Sequence, residues 1–168
     1  MKKISRVAHI AMAALVLAGT ALQPLSAQAA LDMYELADYR LTTEVFERFT
    51  RATNRIEEIT RDDASFKSAP LFTKNAALSG NPVAEATGLV ARLEQHAALA
   101  ASLQAAKLTP REYAKFALGL VAAHLAYDLV KSGVLLQIPS GAPAMNIEFM
   151  KTHESDVIAT LVRLGIRD

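Results

Sequence analysis

The residues best placed for chemistry are three histidines, His96, His124 and His153, each flanked by apolar residues at helical spacing. His96 falls on one face with Leu89, Leu93, Ala100 and Leu103. His124 lies with Tyr113, Ala117, Leu120 and Val121, while Arg111 and Lys115 occupy the opposite face; His153 lies with Phe149, Met150, Val157 and Leu164. An imidazole changes charge near neutral pH and ligates iron or zinc through either ring nitrogen. Counting 1.5 Å per residue from the helix ends puts His124 and His153 roughly 10–12 Å from the same end of an antiparallel pair. The same count places His96 within about 6–8 Å of His124 along the axis. Asp128, one turn beyond His124, is spaced to hold that ring and fix its tautomer.

Two chemistries compete for this arrangement. In the first, the histidines are structural, each a core residue with a satisfied hydrogen bond, as the i,i+4 pair His124–Asp128 would supply. In the second, His124, His153, His96 and Asp128 form a ligand-binding level. Non-covalent haem b is then the sharpest candidate, with Met33, Met145 or Met150 as a further axial ligand. A bare metal ion on the same histidines is the lesser alternative, and no dedicated metal motif supports it. Carboxylate-bridged metal bundles carry Glu-x-x-His on two helices, and a zinc protease helix carries His-Glu-x-x-His; neither occurs here. The chain has no cysteine, which removes thiolate metal sites, thiol catalysis and covalent c-type haem. It has no glycine-rich phosphate loop and no Gly-x-Ser-x-Gly elbow, so no catalytic residue is assigned.

The elements that must position these side chains are helices throughout. Lys2, Lys3 and Arg6 precede an apolar run over 7–22, broken by Pro24 and followed by Ser26-Ala27-Gln28-Ala29. A charged start, an apolar middle and an A-x-A end make a cleavable signal peptide over 1–29, with the mature chain beginning at Ala30. Removing Lys2, Lys3 and Arg6 from the 18 basic residues, against 17 acidic ones, leaves a net charge of about −2. That balance offers nothing to nucleic acid, and loss of the leader leaves no stable membrane anchor. The expected location is periplasmic or secreted.

Residues 30–168 read as one all-α domain, a four-helix up-and-down bundle with helices near 31–61, 82–106, 110–132 and 147–164. In the first, Leu41, Val45, Phe49, Ala52, Ile56 and Ile59 step by three and four. Asn81-Pro82 opens the second, Asn as N-cap and Pro at the first helical position. Thr109-Pro110-Arg111-Glu112 is a capping box that opens the third, and Gly133 stops it. The third is apolar from Phe116 to Tyr127 except for His124, and reads as a core helix. Asn146 is the expected cap of the fourth.

The segments Leu108-Thr109-Pro110-Arg111-Glu112-Tyr113 and Asn146-Ile147-Glu148-Phe149-Met150-Lys151-Thr152-His153-Glu154 resemble a group of exported bacterial helical proteins of unassigned function. That resemblance implies a shared fold and brings no activity with it. The function expected from the sequence is a non-enzymatic interaction or structural module with a protein or peptide partner. Val45, Phe46 and Phe49 on the first helix are the candidate contact face. The alternative is a small-ligand binder using the core histidines.

Overall fold

The computed structural model describes residues 33–63, 65–66, 71–72, 81–135, 137 and 140–166. The expected signal peptide therefore lies outside the described residues, as does most of the connection between the first and second expected helices. Six helices and no strand are present among the described residues: α1 (Met33–Ala37), α2 (Thr43–Asp62), α3 (Pro82–Gln95), α4 (Ala97–Ala105), α5 (Pro110–Lys131) and α6 (Ala142–Arg163).

Local chemistry explains most helix starts. Thr42 caps α2, its hydroxyl accepting from the Val45 N–H; Asn81 caps α3 by accepting from the Ala84 N–H, with Pro82 in the first turn. The capping box of α5 is complete: the Glu112 N–H donates to Thr109 Oγ1 at 3.1 Å and the Thr109 N–H donates to Glu112 Oε2 at 2.9 Å. Thr109→Ala should lower stability by about 1 kcal/mol, because the Glu112 N–H loses its side-chain acceptor. A urea melt that coincides with that of the wild type would contradict this.

Two expected helices are each broken once. The first, expected over 31–61, is interrupted at 38–42. There Asn146 takes up the free backbone groups of the strap, accepting from the Leu41 N–H and donating to the Tyr39 carbonyl, both at 2.9 Å. The second is interrupted at His96, whose backbone is extended (φ −106, ψ 105) and whose carbonyl accepts from the Leu99 and Ala100 N–H groups to begin α4. Asn146 is thus a buried clamp inside α6 rather than its cap; α6 begins at Ala142, after Gly141 (φ 88).

The helix α5 packs against every other described helix. Its first half is core: Tyr113, Phe116 and Leu120 are fully buried. Phe49 lies between Tyr113 and Phe116, with ring centroids at 4.6 and 4.8 Å, and Phe46 stacks on Phe116 at 6.1 Å. Gly119 lets the strap close on α5, since a Cβ there would stand 3.2 Å from Tyr39 Cδ1. At the centre, Tyr113 and Thr53 share a buried hydrogen bond of 3.0 Å, and burial pushes the phenol well above its ordinary pKa.

The last helix departs from up-and-down order. Thr43 meets His153 and Asn54 meets Arg163, so the second half of α6 runs alongside α2 in the same direction. An up-and-down bundle would return its fourth helix antiparallel to its first. The Asn146 clamp is consistent with that direction, because it ties the first turns of α6 to the strap that leads into α2.

Candidate functional site

Each histidine is held by a different neighbour. His96 sits at the α3–α4 break, with Nε2 3.4 Å from Asp63 Oδ2 and its ring 5.2 Å from that of Phe66. Its Nδ1 is buried without a hydrogen-bond partner among the described residues. The Asp63 carboxyl is held below the usual aspartate range, first by the Ser65 hydroxyl, then by the Ser65 N–H, and further by His96. His124 Nε2 lies 3.5 Å from Asp128 Oδ2, the i,i+4 partner read from the sequence. His153 Nε2 is 3.0 Å from Thr43 Oγ1, and its ring packs on Phe149 at 4.6 Å and Phe46 at 5.7 Å.

The structure does not gather the three imidazoles. His96 and His153 contact opposite ends of α2, at Asp63 and Thr43, about 30 Å apart along that helix. His124 and His153 lie on α5 and α6, which pack against each other. Glu154, next to His153, accepts from Tyr127 Oη at 3.2 Å and Lys131 Nζ at 2.7 Å, one to two turns beyond His124. Successive helical side chains diverge, however, so Glu154 faces α5 while the His153 ring turns to α2. The Glu154 carboxyl is held below its ordinary range by the Lys131 ammonium first, with help from Tyr127 and from the nearby His124. Met150 is buried in the core, Met145 is exposed, and the Met33 side chain is outside those described. Among the described residues no group of three or more His, Asp or Glu is placed to hold a metal ion.

His153 marks a different site. Its backbone leaves helical geometry (φ −119, ψ 21), which kinks α6 in mid-course. Thr152, just before the kink, turns its hydroxyl back on the Glu148 carbonyl at 3.0 Å, a contact that bends helices. Beyond the kink a groove of about 420 Å³ opens between α6 and α2. Thr43, Glu47, Thr50 and Arg51 line the α2 side, and His153, Asp156 and Arg163 line the α6 side. Phe46, Ala159 and Thr160 also line it. Thr50 Oγ1 is buried there without a hydrogen-bond partner among the described residues. Arg163 donates to the neutral Asn54 Oδ1 at 2.8 Å; Glu47, Arg51 and Asp156 have no ion pair among the described residues.

A second feature is apolar. The α5 helix is long and apolar enough to cross a membrane by length and composition alone, but its second half emerges from the core. Leu125 is 45% exposed, Leu129 37% and Val134 71%. The chain folds over the end of α5 so that the Val134 and Leu135 N–H groups both donate to the Leu129 carbonyl at 3.0 Å, with Gly133 (φ 75) at the turn. The contact face expected on α2 is not available, since Phe46 and Phe49 are buried in the core.

Sequence reasoning missed Glu47, Arg51, Asp156 and Arg163. Their only signal is that Glu47–Arg51 and Asp156–Arg163 share helix faces, and nothing local says that the two faces meet. Comparison with known proteins finds no matching family model, no matching curated protein and no matching solved structure.

Proposed function

We propose that this chain is an exported, non-enzymatic helical module that binds a protein or peptide partner through the apolar end of α5. The observation that carries the reading is the exposure of Leu125 and Leu129, one turn apart, together with Val134 at the fold-back. Clustered exposed apolar side chains mark interaction surfaces, whereas single ones are ordinary. Charges at Arg111, Glu112, Lys115 and Asp128 within the same helix favour a docking helix over a membrane span. Export rests on the sequence of residues 1–29, and it places the partner in the periplasm or outside the cell. The alternative is haem b or a metal held by His124 and His153; against it, His153 Nε2 is engaged by Thr43 and His124 Nε2 lies beside Asp128.

The test is photo-crosslinking in the producing cell, with the photoreactive residue at position 129 or at exposed Gln104 of α4. A discrete adduct is expected at 129, weakened by Leu125→Glu and not seen at 104. Equal labelling at both positions, or no adduct at 129, would overturn the proposal.

A further inference from the structure

The α2–α6 groove has a polarity that neither helix shows alone. Along α2, Glu47 precedes Arg51 by four residues; along α6, Asp156 precedes Arg163 by seven. Because the two helices run in the same direction here, both acids fall toward the His153 end and both guanidinium groups toward the other. The separation of the two signs is about 6 Å on one wall and about 10 Å on the other, at 1.5 Å per residue. Glu47 and Arg51 have the i,i+4 order that favours a surface ion pair, yet they do not pair. Among the described residues Asp156 has no ion pair either, and Arg163 donates to a neutral amide, Asn54 Oδ1.

We infer that this groove binds a short zwitterion, a di- or tripeptide with free amino and carboxyl ends. Its ammonium group lies between Glu47 and Asp156, and its carboxylate between Arg51 and Arg163, where guanidinium groups offer paired donors. Extended chain covers roughly 3.3–3.6 Å per residue, so two or three residues bridge the two charged ends. Thr50 lines the groove between the levels of Glu47 and Arg51. Phe46 and the small Ala159 leave an apolar wall for a side chain. The volume is within the range of roughly 300–1,000 Å³ typical of small-molecule sites, and well above the needs of an inorganic ion. A simple anion would be repelled by the two carboxylates and a metal cation by the two guanidinium groups. Only a ligand carrying both signs is matched at both ends.

The site is separate from the α5 surface and its test is independent of that surface. Calorimetric titration of the full chain with L-alanyl-L-alanine and with trialanine should give saturable one-site binding by at least one of the two. N-acetylation removes the cation and C-amidation the anion; each should weaken binding about tenfold or more, the loss of one charged hydrogen-bonded contact. Arg51→Gln and Asp156→Asn, both on exposed side chains, should do the same with an unchanged far-UV circular dichroism spectrum. Leu125→Glu should bind as the wild type does, so failure of the α5 proposal leaves this one standing. Absence of saturable binding by either peptide overturns it. So does equal binding of the blocked peptides, or wild-type affinity in Arg51→Gln.

Discussion

Phe49→Ala lowers the stability of the domain by about 3–5 kcal/mol, the range for deleting a buried aromatic ring. Phe49 is fully buried, and its ring lies within 4.6 Å of Tyr113 and 4.8 Å of Phe116. Those two belong to α5, the helix that every other described helix touches, so the void opens at the centre of the fold. The transfer loss is accompanied by a cavity contribution, because a ring wedged between two others cannot be replaced by a small local shift. Small domains have only about 5–15 kcal/mol in total, so the variant keeps a fraction of its stability. A urea titration should show a much lower midpoint with an unchanged slope, which separates lost stability from a change in the surface exposed. Phe49→Leu should fall by less, since it refills part of the volume. A midpoint for Phe49→Ala within error of the wild type would mean that the aromatic cluster is not what holds α2 to α5.

What the sequence made legible was local. The caps at Asn81 and Thr109 were readable because an N-cap is a contact between residues three apart, and both are present. The apolar stripe of α2 was readable for the same reason, and Phe49, Ala52 and Ile56 are buried as their spacing requires. The breaks at 38–42 and at His96 were not readable. They depend on partners far along the chain, Asn146 for the strap and Asp63 beside the His96 ring. Asn146 was misread for an instructive reason. The same short amide that suits a helix start also suits a buried clamp, and propensity does not tell the two apart. Of His96, His124 and His153, only His124 sits within an unbroken helix. His96 falls at the break between α3 and α4 and His153 at the kink of α6, and each ring turned to whichever neighbour offered a partner. The groove was the least legible feature, because its charge polarity exists only once α2 and α6 are known to run in parallel.

Asn146 ties α6 to the strap before α2, and Asn146→Ala is expected to lower stability by about 2–4 kcal/mol. Two backbone groups lose their partner at once. The Leu41 N–H loses its acceptor and the Tyr39 carbonyl its donor, and an unsatisfied buried polar group costs about 1–3 kcal/mol. Native-state hydrogen exchange reads the first loss directly, since the Leu41 amide should exchange far faster in the variant relative to the Val157 amide of α6. Asn146→Asp separates the two bonds. One carboxylate oxygen still accepts from Leu41, while the other now faces the Tyr39 carbonyl, where a charge is repelled and poorly solvated. Both effects raise the folded-state pKa of that aspartate above its ordinary value near 4. Below about pH 4 the side chain is protonated in both states and can donate to Tyr39, so the variant approaches the wild type. As pH rises from there the unfolded chain ionises first, and the stability difference from the wild type grows until the raised pKa is passed. Paired urea melts from pH 3.5 to 7 measure that difference. A gap between Asn146→Asp and wild type that does not widen with pH would show that the second oxygen does not face the Tyr39 carbonyl. Asn146 would then hold the strap by the Leu41 bond alone.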